Sequence, residues 1–267
     1  MNIPQNYKAI NKDAWNKRTD VHVSSSFYDV EGFFNGASSL QTTESALLGD
    51  IHGKSVLHLQ CHFGMDTLSM ARMGASVTGV DLSDKAIEKA EELNRTLGLN
   101  ARFICCDLYD LEQNLDEQFD VVFTTYGTIG WLPDLEKWGA IIQRFLKPGG
   151  KFVFAEFHPV MWMFDNQLEK IEYSYFNREA IVEDSTGTYT DRNAQIEYTE
   201  ISWNHSLDEV FSALLHHGIS IEQFREYDFS HYNCFSNLKQ IAPDKYQHSD
   251  VGGKIPMMYS IVGRKCN

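Results

Sequence analysis

Apolar and polar positions alternate in blocks along the middle of the chain. "SVLHLQ" (55–60), "SVTGVD" (76–81), "ARFICCD" (101–107), "FDVVFTTY" (119–126) and "KFVFAEF" (151–157) are short runs of β-compatible residues, and this spacing predicts five strands. Between them the period becomes helical. "MDTLSMARMG" (65–74) stops at a glycine, and Ser83 caps "DKAIEKAEELNRTLG" (84–98), whose Ile87, Ala90, Leu93 and Leu97 share one face. "LEKWGAIIQRFL" (135–146) is stopped by a "KPGG" turn. Strands alternating with helices in this way imply βαβ units and a parallel sheet, and near-continuous apolar strands imply a sheet covered on both faces.

The flanks break that rhythm. In the first 50 residues "AINKDAWNKR" (9–18) reads as a short helix and "SSSFYDVEGFFNGASSL" (24–40) as a loop-rich arm. Residues 160–202 are aromatic and threonine-rich and predict added antiparallel strands. Ser206 then caps "LDEVFSALLHHG", and "ISIEQFREYD" and "PMMYSIVGRK" follow with no helix between them, which predicts an antiparallel pair at the sheet edge. The expected organisation is an arm over 1–50 and an α/β domain over 51–267, with an insertion at about 160–202.

Composition narrows the partners. The 267 residues carry a net charge of −14, which disfavours a nucleic acid and suits a small cationic or neutral ligand. The five cysteines are Cys61, Cys105, Cys106, Cys234 and Cys266; their odd number and scattered spacing fit a reducing, cytoplasmic setting. No apolar run approaches the ~20 residues of a membrane span, and the chain does not open on a signal-peptide pattern.

In a doubly wound sheet the ligand sits beyond the carboxyl ends of the strands. The first such segment is "QCHFGMDT" (60–67), where Gln60 and His62 stand at positions that a dinucleotide loop gives to glycine. Side chains there would crowd a pyrophosphate, so a nicotinamide or flavin dinucleotide is disfavoured. A ligand with an amino acid, a ribose and an adenine but no phosphate tolerates more bulk. Its amino-acid part could meet the loop and the helix start at Met65. Asp81 could accept from the ribose hydroxyls and Asp107 from the adenine amino group, with Leu82 and Leu108 as apolar walls. His58 and His62 lack a third ligand at a suggestive spacing, so no metal site is expected.

These residues bring a family into view. Over about 54–159 the chain resembles the class I S-adenosylmethionine-dependent methyltransferases that act on small molecules: "VLHLQCHFG" is similar to their first motif, "VTGVDLS" to the ribose acid, "FICCDLYDL" to the adenine acid, and "FDVVFTTYGTIGWLPD" with "LKPGGKFVFAE" to the fourth and fifth strands. The resemblance implies a Rossmann-like, doubly wound sheet of seven strands, mostly parallel with an antiparallel last strand. It implies S-adenosylmethionine as cofactor, held by Gln60, Cys61, His62, Gly64, Asp66, Thr67, Asp81, Leu82, Asp107, Leu108 and Thr124, with Cys61 acting through its backbone. The family usually carries an acid where His58 stands, so Asp66, on the first helical turn, is the expected replacement.

The acceptor end is thinner. The cofactor supplies the reactive methyl group, and a base is needed only if the acceptor must lose a proton. His158, directly after the fifth strand, and Tyr126 are the catalytic candidates; Trp131 and His205 could also face the pocket, and Trp15, Phe27 and Tyr28 belong to the arm, which in this family often covers the cofactor. The expected activity is methyl transfer to a small molecule. A non-catalytic S-adenosylmethionine-binding module is the principal rival, and a Rossmann oxidoreductase the weaker one.

Overall fold

A computed structural model describes residues 4–266. Three helices open it: α1 (Tyr7–Ser24), α2 (Val30–Phe34) and α3 (Thr42–Leu48). The alternating core follows as β1 (Ser55–Leu59), α4 (Met65–Arg72), β2 (Ser76–Asp81), α5 (Asp84–Thr96), β3 (Arg102–Cys105), β4 (Phe119–Thr125), α6 (Leu135–Phe145) and β5 (Leu146–Phe157). An antiparallel hairpin, β6 (Ile181–Thr186) and β7 (Glu197–Ser202), is inserted before α7 (Leu207–His216). The chain closes with β8 (Ile219–Tyr227), a second hairpin of β9 (Leu238–Ala242) and β10 (Lys245–His248), and β11 (Met258–Lys265).

The central sheet has seven strands in the order β3-β2-β1-β4-β5-β11-β8. Only β11 runs antiparallel, inserted between β5 and β8. The order reverses at β1, where one side leads to β2 and the other to β4. That reversal opens a crevice at the carboxyl ends of β1, β2 and β4. Buried Leu57, Val80, Val122, Phe152, Phe154 and Ile261 join Trp138, Ile142, Phe145 and Leu214 in the main core on one side of the sheet. Val56, Val77, Val121, Phe123 and Val153 face Leu47, Leu48 and Met70 on the other. The strands read as unbroken apolar runs because both faces are covered.

Local signals account for the helix starts. The Ser83 hydroxyl accepts from Ala86 N at 3.0 Å, and Ser206 forms a reciprocal capping box with Glu209. Several elements differ from those the sequence predicts: α2 lies within the stretch read as a loop-rich arm, the β9–β10 hairpin is unpredicted, and three further differences have local reasons. Helix α1 runs from Tyr7 to Ser24, beyond 9–18, because its buried face is mostly polar and leaves little apolar period. Helix α3 lies where the sequence predicts no element, started by a Gln41–Glu44 capping box. Strand β5 begins at Leu146, so it takes in the "KPGG" turn, and its register against β4 shifts between Phe119 and Val121. No helix among the described residues is long and apolar enough to cross a membrane.

Candidate cofactor and acceptor site

The loop after β1 keeps a glycine-type backbone without the glycines. Gln60 and His62 both have positive φ, 55° and 50°, as does Gly64 at 81°. An ordinary residue in this left-handed region carries strain, and here each strained residue is tied down. The Gln60 side chain donates Nε2–H to Thr128 O at 2.8 Å, Cys61 N donates to Val80 O at 2.9 Å, and His62 N donates to an Asp81 carboxylate oxygen at 2.8 Å. Gly64 has a second constraint: a Cβ there would lie 2.7 Å from the Phe103 ring and 2.8 Å from Ala90.

Two acids flank the next strand ends. Asp81 holds the loop through His62 N and holds the turn through Ser83 N at 2.8 Å, while lining the crevice. Burial raises its carboxyl to about 6 against those backbone donors. Asp107 accepts from Tyr109 N at 2.9 Å, starting a short 3-10 turn, and pairs with Lys8 of α1 at 2.9 Å. Leu82 and Leu108 line the space beside them.

A third group gathers at the other end of the loop. Asp66, on the first turn of α4, accepts from Ser39 Oγ at 2.5 Å, and burial raises its pKa. Tyr126, after β4, donates its hydroxyl to Glu44 Oε2 at 2.8 Å, and Gln41 N donates to Glu44 Oε1 at 2.8 Å. Burial first, then the Asp66 charge, lifts Glu44 to about 7. The loop after β4 is itself held by buried Glu156 of β5, whose carboxylate accepts from the N–H groups of Gly127, Thr128 (2.7 Å), Ile129 (3.3 Å) and Phe157 (2.7 Å). Sequence reasoning missed Glu156; an acid inside the apolar "KFVFAEF" run is its only local signal.

Helix α1 roofs the crevice. His22 and His62, two rings held neutral by burial, share a hydrogen bond at 2.9 Å. Asn16 accepts from Ser83 Oγ at 2.6 Å. On its other side α1 is joined to β7, where the Asn11 amide exchanges two bonds with the Ile201 main chain, at 2.8 and 2.9 Å. The roofed cavity measures about 1500 Å³ and runs from the β1 loop to the β6–β7 hairpin. Among the described residues, nine carboxylates and two arginines line it, so its interior is electronegative.

The structure thus brings Gln60, Cys61, His62, Gly64, Asp66, Asp81, Leu82, Asp107, Leu108, Tyr126 and Trp131 to one cavity. It does not bring Thr67 and Thr124 there. Thr67 is buried against His58, with Oγ1 2.8 Å from Nδ1, and Thr124 turns its hydroxyl to Thr128 at 3.3 Å. Side chains alternate along a strand, so Thr125, not Thr124, reaches the cavity. His158 also requires correction as the candidate base. Its Nδ1 accepts from Val160 N at 3.2 Å, its Nε2 faces Glu226 at 3.1 Å, and it does not line the cavity. His205 is likewise occupied, donating through Nε2 to Leu132 O at 2.7 Å. His58 is buried, and burial lowers it to about 3, so it is a neutral ring.

Comparison with known proteins bears on this geometry. Residues 56–150, from β1 into β5, match the family model described as a methyltransferase domain. Over that segment the chain is similar to methyltransferase domains. Over 114 residues it is 33% identical to phosphoethanolamine N-methyltransferase 1 of Triticum aestivum, covering 42% of this chain and 23% of that protein. Over 106 residues it is 31% identical to the ubiquinone biosynthesis O-methyltransferase of Pseudomonas syringae pv. tomato, covering 40% of this chain and 45% of that one. The chain thus spans less than half the length of these curated relatives. The 1,6-didemethyltoxoflavin-N1-methyltransferase of Burkholderia thailandensis, solved with 1,6-didemethyltoxoflavin and S-adenosylhomocysteine, shares the fold with a TM-score of 0.57 at 17% identity, covering 100% of this chain and 92% of that one.

The residues that line the cavity fit a ligand that carries an ammonium and a sulfonium. The cavity is electronegative, and Gln60 Oε1 is a buried acceptor with no partner among the described residues. Asp81 and Asp107 keep carboxylate lone pairs beyond those their present bonds use.

Proposed function

We propose that this protein transfers the methyl group of S-adenosylmethionine to a small-molecule acceptor inside the roofed cavity. The observation that carries this reading is the continuity of one space between the β1 loop and the β6–β7 hairpin. Asp81 takes the ribose hydroxyls, and Asp107 takes the adenine amino group once Lys8 shifts. Asp66 and Gln60 Oε1 take the ammonium in place of the acid missing at His58. The cofactor, when bound, supplies an electrophilic methyl group on a positively charged sulfur. The protein's work is to hold the acceptor in line, to exclude water with α1, and to take a proton where the acceptor has one to lose. Tyr126 is suited to that proton transfer, because it faces the cavity and can accept the acceptor's proton while passing its own to Glu44. The arm of α1 and α2 acts as the lid.

Calorimetric titration with S-adenosylmethionine and S-adenosylhomocysteine tests the cofactor. Formation of S-adenosylhomocysteine from pooled small-molecule acceptors tests the transfer. Binding of NAD with none of S-adenosylmethionine would end the reading. Binding without turnover on any pool would leave the non-catalytic module in its place.

A further inference from the structure

The cavity continues past the cofactor loop into a compartment walled by α1 and β7. Trp15 marks the junction: its ring centroid lies 5.2 Å from that of His62 and 5.3 Å from that of Trp131. Behind it lies Arg18, only 6% exposed. The guanidinium carbon is 4.3 Å from the Tyr198 ring centroid, 4.9 Å from Trp15 and 5.3 Å from Trp131. One of its terminal nitrogens pairs with Glu200, which also accepts from Ser185 Oγ at 3.0 Å. Arg18 Nε–H is buried and has no partner among the described residues.

A guanidinium does not deprotonate in a protein, so this donor cannot be silenced by titration. A buried donor left unpaired is costly until an acceptor reaches it. Arg18, Trp15, Trp131 and Tyr198 all line the cavity, so a ligand can approach the group. The aromatic rings present faces and edges that suit a flat ring. Charge selects further. Glu200 already balances Arg18, and the surrounding wall carries an excess of carboxylates. Among the described residues only Arg192 adds a second cation to that wall, so an anionic ligand would meet net repulsion.

We propose that this compartment is the acceptor subsite, and that the acceptor is a planar, uncharged aromatic molecule whose carbonyl oxygen accepts a hydrogen bond from Arg18. This rests on the methyl-transfer reading of the same cavity. Arg18 is then a specificity-determining residue, with Glu200 holding its fork in place.

Calorimetry on the full chain with S-adenosylhomocysteine present tests the proposal, using three probes: 4-quinolone, quinoline without the carbonyl, and 2-naphthoate as the anion. The expected result is that 4-quinolone binds about tenfold or more tighter than quinoline, that 2-naphthoate binds weakest, and that Arg18→Met abolishes the preference. Arg18→Lys, which keeps the charge but loses the fork, should also lose it, and serves if the Met variant fails to fold. Equal binding of 4-quinolone and quinoline, no binding of either, survival of the preference in the folded variant, or tighter binding of 2-naphthoate would overturn the proposal. The S-adenosylhomocysteine titration alone reports on the cofactor reading: if that ligand binds while the preference is absent, only the acceptor inference fails.

Discussion

At the residue scale the site turns on buried acids. Asp66 and Glu44 stand close enough for the charge of one to disfavour ionisation of the other, and no lysine or arginine pairs with either among the described residues. If Asp66 holds the cofactor ammonium, Asp66→Asn should weaken S-adenosylmethionine by about 1.5–3 kcal/mol. It should leave 5′-methylthioadenosine, which lacks the amino-acid part, nearly unchanged; equal losses for both ligands would remove Asp66 from the ammonium site. Glu44 makes a pH prediction. Burial, Asp66 of α4 and the Tyr126 and Tyr232 hydroxyls surround it, and its pKa rises to about 7 from an ordinary 4.5. A carboxyl raised in the folded state favours folding while protonated. Its contribution is therefore complete below about 4.5 and is lost as pH climbs through about 7. Glu44→Gln should remove that slope, so the stability gap between wild type and variant should change by about 3 kcal/mol between pH 4.5 and 8 in urea titrations. A parallel pair of curves would show that Glu44 does not titrate there. Much of this site is legible in the sequence: Asp81, Asp107 and Asp66 stand where strand ends and a helix start predict ligand contacts. Glu44 and Tyr126 meet across 82 positions of sequence, a distance no local pattern spans.

At the scale of elements, α1 shows what periodicity misses. Its buried face is Tyr7, Asn11, Ala14, Arg18, Thr19 and His22, spaced as a helix face but mostly polar. Such a stripe is buried because partners wait for it: Asp107 for Lys8 beside it, Ile201 for Asn11, Glu200 for Arg18, His62 for His22. Hydrophobic pattern alone reads the same residues as solvent-facing. Asn11→Ala should leave the Ile201 N–H and C=O unpaired in a buried place, at a cost of about 1–3 kcal/mol for each group. Urea unfolding would measure the loss, and a change below about 0.5 kcal/mol would mean that α1 lifts freely from β7. The β1 loop is the opposite case. Its sequence departs from the glycine-rich pattern, yet its backbone keeps the left-handed turns, because Thr128, Val80 and Asp81 supply bonds that hold them.

At the scale of the whole molecule, charge and topology act together. The net charge of −14 is spread over the chain, but the fold gathers nine of its carboxylates onto one cavity. That field should favour a cationic cofactor over its neutral product. Raising salt from about 0.1 to 1 M shortens the screening length from about 10 to 3 Å. S-adenosylmethionine affinity should then fall more than S-adenosylhomocysteine affinity, read as a narrowing ratio of dissociation constants. A ratio independent of salt would show that the field does not reach the sulfur.

The sequence by itself determined the alternation of β1 to β5 with α4 to α6, and with it the crevice where strand order reverses, because apolar period and helix caps are local properties of the chain. It also placed the acids at strand ends, since topology makes those ends the binding edge. Only the tertiary structure decided which neighbouring hydroxyl enters the cavity, Thr125 and not Thr124, and which histidines are already bonded elsewhere, as His158 is to Glu226. It alone closed the roof, by joining α1 to a hairpin some 180 residues away through Asn11 and Arg18. Contacts of that kind depend on pairing polar groups across distant segments, which the local pattern of a single sequence does not encode.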